Sequence, residues 1–145
     1  MNQTRTACCL ALVLVTWTGR AGAQTAEDFA GDWKPSKERP ALAELKIVQE
    51  GTRWTAHAYG ACTPSPCDLG VVPFVVLQQR PAGRSVGLAI WQRGTATRYV
   101  VMHLGEDALV VEIYNLFSGP RDQPSYLMVD ELSKSPRPIS GPPKK

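Results

Sequence analysis

The feature that most constrains the fold of this sequence is a succession of short segments in which apolar and polar side chains alternate, separated by tight turns. The clearest pair runs from Glu44 to Glu50 and from Arg53 to Gly60, joined across Gly51. Alternation with a period of two is typical of a strand with one buried face, and so short a connection is typical of a β-hairpin. No stretch shows helical periodicity over ten residues. The chain is therefore predicted to be all-β.

About eight strands are predicted along the chain. They begin at Gly31 and then cover residues 44–50, 53–60, 71–79, 85–92, 97–104, 109–117 and 126–132. Pro73 should mark an edge, a bulge or the start of its strand, because proline cannot donate to a sheet. Eight short strands must close into a barrel or split into two packed sheets. Sequential hairpins favour a single antiparallel up-and-down barrel, with a β-sandwich as the alternative.

The N-terminal residues 1–23 carry the pattern of a secretory signal peptide. Arg5 precedes an apolar run from Ala7 to Trp17, and Ala21-Gly22-Ala23 matches a cleavage site. The run is too short to span a bilayer, which takes about 20 residues. We therefore expect an exported protein, periplasmic or secreted, without stable membrane insertion.

The folded domain is predicted to span residues 24–133, with Thr25 to Ala30 as an unstructured or single-turn lead-in. Trp33, two residues after the first glycine of the first strand, is placed to close the bottom of a small barrel. Residues 134–145 are rich in proline and basic side chains and contain no acidic ones. Such a segment buries too little apolar surface to fold, so it is predicted to be a disordered tail.

The formal charge of +3 does not describe the folded domain. Of the 16 basic side chains, Arg5 and Arg20 belong to the predicted signal peptide and four lie in the predicted tail, which leaves 10 against 13 acidic ones. The domain is thus mildly acidic, whereas nucleic-acid binding needs a basic face that neutralises phosphates. A nucleic-acid partner is not expected.

Two of the four cysteines, Cys62 and Cys67, lie outside the predicted signal peptide. Because thiols oxidise in exported proteins, we expect them to form a disulfide that holds the shape of a loop. His57 and Asp68 lie close to them in sequence and invite a zinc interpretation. The disulfide consumes both thiols, however, and no second cysteine pair follows, so no metal and no cofactor are predicted.

Candidate ligand-binding residues are aromatic or imidazole side chains on the predicted strands: Trp54, His57, Tyr59, Trp91, Tyr99 and Tyr114. His57 and Tyr59 share a strand face, which forms the polar end of a pocket if it points inward and an ordinary solvated surface if it points outward. The opposite face carries Ala56 and Ala58, which suit a crowded barrel interior. No catalytic residue is predicted, because no Gly-x-Ser-x-Gly is present and nothing pairs a nucleophile with a base.

Three patches resemble a small exported bacterial β-barrel module without established activity. They are Gly31-x-Trp33, the stretch from Trp54 to Gly70 with its His-Ala-Tyr-Gly-x-Cys-x-Pro-x-x-Cys-Asp-x-Gly motif, and the segment from Leu109 to Arg121. This chain has Tyr59 and Leu69 where that family's motif usually has tryptophans. The resemblance covers most of residues 30–132, with only the cysteine loop specific, and implies an architecture similar to lipocalins and avidins. Pro35 stands where avidins usually have an asparagine, so biotin binding is not expected.

Three functional hypotheses follow. The first is a non-enzymatic binding module that holds a small apolar or aromatic ligand at the barrel mouth. The second is a protein-interaction or inhibitor scaffold that presents the Cys62–Cys67 loop and residues 118–124 to a partner. The third, an enzyme, requires His57 or His103 in a cleft beside a carboxylate. A cavity of about 300 Å³ or more favours the ligand, and a filled interior favours the scaffold. The sequence does not predict an oligomeric state.

Overall fold

The computed structural model describes residues 23–78, 84–119 and 123–136. One helical turn, α1 (Ala26–Phe29), precedes eight strands: β1 (Gly31–Pro35), β2 (Leu42–Glu50), β3 (Arg53–Gly60), β4 (Cys67–Gln78), β5 (Ser85–Arg93), β6 (Ala96–Leu104), β7 (Ala108–Phe117) and β8 (Tyr126–Lys134). The predicted signal peptide, apart from Ala23, and the tail from residue 137 lie outside the described residues. β8 ends at Lys134, one residue beyond the predicted domain boundary.

The eight strands form one closed barrel in sequence order. Each strand pairs antiparallel with the next, and β8 pairs with β1. Closure leaves no continuous sheet edge, which is how short strands of this kind avoid an unpaired row of backbone groups. The prediction of a single antiparallel up-and-down barrel is confirmed, and the sandwich alternative is wrong.

The β2–β3 hairpin shows which strand faces point inward. Glu50 pairs with Arg53 across a turn in which Gly51 has a φ of 62°. Ala56 and Ala58 are fully buried, while the side chains between them point to the outer surface. The barrel interior therefore takes the small-residue face of β3, because large side chains from the other strands fill the centre.

The core draws on all eight strands. Its largest members, each at most 5% exposed, are Trp33, Leu42, Leu45, Ile47, Phe74, Trp91, Val100, Met102, Leu109, Val111, Ile113 and Leu132. Side chains of this size fill the centre of a barrel of eight strands. The remaining open space lies at its ends and between diverging strands.

The end of the barrel near the N-terminus, called here the helix end, is closed by α1. Phe29 is fully buried, and its ring centroid lies 5.5 Å from that of Phe74. The indole Nε1 of Trp33 donates to the Phe29 carbonyl over 2.9 Å. Trp33 is 3% exposed, which agrees with its predicted place at the bottom of the barrel. The predicted lead-in thus forms a single turn whose last residue completes the core.

β4 begins four residues earlier than predicted, at Cys67 rather than Val71. Cys67 pairs with Gly60, and a bulge lets Leu69 stand unpaired between the two flanking register positions. The strand pairs with β3 through Pro73 and with β5 only from Phe74 onward. Pro73 lies in mid-strand, at neither a bulge nor a strand start. It occupies the last position where one side of β4 is open, so its missing N–H leaves no β5 carbonyl unpaired.

Candidate functional site

The mouth of the barrel, opposite the helix end, holds the main cleft. It lies where β5 and β7 end and where β4 and β6 begin, and its volume is about 570 Å³. We call it the mouth cleft; it is lined by Asp68, Leu69, Gly70, Trp91, Gln92, Arg93, Ala96, Thr97, Arg98, Asn115 and Phe117. A smaller recess of about 220 Å³ reaches from it toward the cysteine loop and shares Leu69, Arg98 and Asn115. The volume of the mouth cleft falls within the usual range of ligand pockets.

One transverse row of side chains crosses the mouth. Trp91 pairs with Arg98, Arg98 pairs with Asn115, and Asn115 pairs with Tyr126. Two residues deeper, Val100 and Ile113 occupy the equivalent positions and are buried. Because side chains on one strand alternate between faces, Arg98 and Asn115 must point to the same inner side as these core residues. The row is therefore a polar layer on an apolar floor.

Trp91 forms one wall of the mouth cleft. It is 5% exposed, and its indole Nε1 donates to the Gly70 carbonyl over 2.8 Å. Gly70 has a φ of 88°, a conformation that residues with a Cβ rarely adopt. The glycine after the β4 bulge thus turns its carbonyl toward the indole and fixes the wall.

Arg98 and Asn115 form the polar part of the cleft. The Arg98 Nε donates to the Asn115 Oδ1 over 2.8 Å. Asn115 is 3% exposed, and its Nδ2 donates to the Ile113 carbonyl over 3.4 Å. Both amide groups of Asn115 are engaged, so its orientation is set and it holds the guanidinium in place.

The cysteine loop, residues 61–66, borders the mouth. Cys62 and Cys67 form the predicted disulfide, with Cα atoms 5.5 Å apart. The loop is also tied to the β1–β2 connection, because the Ala61 N–H donates to the Ala41 carbonyl over 3.0 Å. All six loop residues are exposed. The loop is thus a fixed rim rather than a cover packed over the cleft.

Asp130 of β8 anchors the connection that faces this loop. Its Oδ2 accepts hydrogen bonds from the backbone N–H groups of Ala41 and Leu42, at 2.8 and 2.9 Å. The residue is 8% exposed, so the two donors satisfy a carboxylate that would otherwise be buried without partners. The start of β2 is thereby held against β8 beside the recess.

His57 and Asp68 meet on the outer surface. The His57 Nε2 lies 2.7 Å from the Asp68 Oδ1, and the Gly70 N–H donates to the same oxygen over 2.7 Å. The His57 hydrogen bond, followed by that of the Gly70 backbone, lowers the pKa of Asp68. The Tyr59 ring stacks beside His57, with centroids 4.5 Å apart. The expectation that Asp68 accepts backbone N–H groups and fixes the loop is confirmed by the Gly70 bond.

The six predicted ligand-binding residues do not come together. Trp91 lines the mouth cleft, whereas Trp54 lines a separate cleft of about 530 Å³ between the β2–β3 turn and the middle of β4. That second cleft opens where the β3–β4 ladder ends, at Thr55 and Pro73. The remaining four, His57, Tyr59, Tyr99 and Tyr114, lie on the outer face. Their part in ligand binding stays a prediction, and it does not concern the barrel interior.

Tyr99 and Tyr114 are cross-strand neighbours on that outer face, 37% and 36% exposed. The Tyr114 hydroxyl donates to the Glu112 Oε2 over 2.7 Å, and this bond to a carboxylate raises the pKa of Tyr114. The pair thus belongs to the polar network of the β6–β7 surface.

Arg98, Asn115 and Phe117 of the mouth cleft are absent from the predicted set. The signal that finds them is positional: Arg98 is a polar residue on the strand face that continues into Val100 and Met102, and Asn115 holds the same place on the face of Val111 and Ile113. A polar side chain near the end of an otherwise apolar strand face marks a barrel mouth.

Neither histidine lines any of the three clefts. His103 lies 3.9 Å from Glu112 and its side chain is 44% exposed. Both histidines therefore stand beside a carboxylate but outside these clefts. Among residues 23–78, 84–119 and 123–136, no group of three or more His, Cys, Asp or Glu side chains could hold a metal ion. No helix in this part of the chain is long and apolar enough to cross a bilayer.

Comparison of the chain with protein-family models, with curated proteins and with solved structures found no match. The geometry of the mouth is accordingly the basis for a functional hypothesis.

Proposed function

We propose that this protein is an exported, non-enzymatic binding module whose mouth cleft holds a small apolar or aromatic ligand. The observation that carries the proposal is a cleft of about 570 Å³ whose walls combine Trp91, Leu69 and Phe117 with two convergent polar side chains. Ligand sites are typically concave, mostly apolar and equipped with a few fixed polar groups. Arg98 and Asn115 supply such groups.

A protein-interaction scaffold is the second candidate, and a different observation favours it. The outer surface of β4–β8 exposes apolar side chains that are between 36% and 53% accessible: Val71, Val75, Leu77, Ile90, Tyr99, Tyr114, Leu116, Tyr126, Leu127, Met128 and Val129. The packed centre of the barrel suits a scaffold as well. The volume of the mouth cleft exceeds about 300 Å³, however, and this favours the ligand.

The binding of N-phenyl-1-naphthylamine, a neutral fluorescent aromatic probe, tests the proposal. Ala96→Trp adds an indole at the rim of the mouth cleft, and Thr52→Trp adds one in the second cleft beside Trp54. We expect the wild type to bind the probe with a fluorescence increase and a rise in melting temperature. Ala96→Trp should weaken binding at least about tenfold, because even one displaced ring of contacts is worth more than 1.4 kcal/mol.

Thr52→Trp is the matched control and should leave the affinity within about twofold of the wild type. Loss of binding in Thr52→Trp but not in Ala96→Trp would move the site to the second cleft. An absence of probe binding and of any thermal shift would count against a ligand function altogether.

A further inference from the structure

We infer that the ligand of the mouth cleft carries a carboxylate, which the Arg98 guanidinium binds; the inference rests on the proposed ligand-binding function. Arg98 is only partly exposed, and its Nε is committed to Asn115. In the described part of the chain, the two Nη atoms have no protein hydrogen-bond acceptor. The cation is thus held at a fixed orientation with its terminal donors free.

The charges around the cleft leave this cation unbalanced. The ionisable side chains that line the cleft are Asp68, Arg93 and Arg98. The Asp68 Oδ1 already accepts from His57 and Gly70. Among residues 23–78, 84–119 and 123–136, no carboxylate lies within 4.0 Å of the Arg98 guanidinium. A partly desolvated cation gains most from an anionic partner, so the cleft favours a ligand of negative charge.

The shape of the site selects a carboxylate attached to an apolar group. Guanidinium presents paired donors that match the two oxygens of a carboxylate. Beside Arg98 stand the Trp91 indole in the neighbouring register position and the walls formed by Leu69 and Phe117. A flat apolar body between these walls places its carboxylate against Arg98. Aromatic acids of one or two rings have this form.

Competition against N-phenyl-1-naphthylamine at pH 7 with two probes of nearly equal shape tests the inference. 1-Naphthylacetate is ionised at this pH, and 1-naphthylacetamide is neutral. We expect the wild type to bind the acetate at least about tenfold more tightly, which is the ratio that a charge-assisted hydrogen bond supplies. Arg98→Gln should reduce the preference to about twofold or less while it retains affinity for the amide. Arg98→Lys keeps the charge without the paired donors and should give an intermediate ratio.

Arg53→Gln is the matched control, because it removes the same charge from the β2–β3 turn beside the second cleft. It should preserve the acetate preference within about twofold. In NMR spectra, the acetate but not the amide should shift the Arg98 Nε–Hε signal. Equal binding of the two probes by the wild type would overturn the carboxylate inference and leave the proposed function standing. If neither probe binds nor displaces the dye, both fail.

Discussion

At the scale of single residues, Asp68 holds two segments together from the outer surface of the barrel. Its Oδ1 accepts from the Gly70 N–H within the β4 bulge and lies 2.7 Å from the His57 Nε2 on β3. These bonds lower the pKa of Asp68, so the ionised form is favoured by folding. A carboxylate with a lowered folded-state pKa contributes stability above its unfolded pKa of about 3.9, and the contribution is lost as pH falls through the folded value.

Asp68→Asn tests this contribution, because the amide oxygen can still accept while the charge is gone. We expect the variant to be less stable than the wild type at pH 7, and the difference to shrink below about pH 4 as the wild-type carboxyl protonates. Urea unfolding at pH 7 and at about pH 3 measures both differences. The effect is small because the carboxylate is exposed, and it should weaken in high salt. Asp107→Asn removes a charge from the β6–β7 turn and should change stability by less than about 0.5 kcal/mol at either pH.

Sequence reasoning at this scale identified side chains better than it identified their surroundings. Trp91 was predicted from its type, and it lines the mouth cleft. Arg98 was not, because alternation along β6 separates two faces without telling which one points inward. The inward direction is fixed only when all eight strands close and the large side chains find a common centre. Ala56 and Ala58 favoured the inward face of β3 before closure, since they suit a crowded interior.

At the scale of elements, the disulfide links the end of β3 to the start of β4. Cys67 is the first residue of β4 and pairs with Gly60, so the bridge reinforces the last register position of this hairpin. A Cβ on Gly60 would lie 3.0 Å from the Cys67 Sγ, which shows how closely the two strands approach there. The bridge closes a short loop, and the chain-entropy model gives such a loop about 2 kcal/mol.

Replacing both cysteines, Cys62→Ser with Cys67→Ser, should lower the free energy of unfolding by about 2 kcal/mol and leave the barrel folded. The remaining seven strand pairings do not involve the loop. Urea unfolding followed by far-UV circular dichroism gives the difference, with an unchanged denaturant slope expected. Reduction by dithiothreitol should shift the wild type by a similar amount and leave the double variant unmoved. A variant that is unfolded in buffer would contradict the view of the bridge as a local constraint.

Strand existence and order followed from the sequence because the alternation is regular and the turns at Gly51 and Gly94 are short. The start of β4 did not follow, since the bulge around Leu69 interrupts the alternation on which the prediction depends. The first helical turn was left open between coil and helix. Its conformation depends on the burial of Phe29 against Phe74, a contact between residues far apart in sequence.

At the scale of the whole molecule, the two ends of the barrel differ in how they use aromatic residues. At the helix end, Phe29 is fully buried and packs against Phe74 beneath Trp33. At the mouth, Phe117 is partly exposed on the wall of the cleft, and its ring centroid lies 6.0 Å from that of Tyr126. The chain thus closes one end with its own core and leaves the other with open space between the same kinds of side chain. Stability and binding should therefore respond to opposite ends.

The same substitution at the two ends tests this division. Phe29→Ala should lower the free energy of unfolding by about 3–5 kcal/mol, because it removes a buried ring and leaves a cavity under the strands. Phe117→Ala should cost about 1 kcal/mol, because only part of its ring is removed from water. For the affinity of N-phenyl-1-naphthylamine the order reverses: Phe117→Ala should weaken binding about tenfold, while folded Phe29→Ala binds like the wild type. Equal destabilisation by both variants would mean that the mouth is part of the core, and the cleft would then not be a site poised for a ligand.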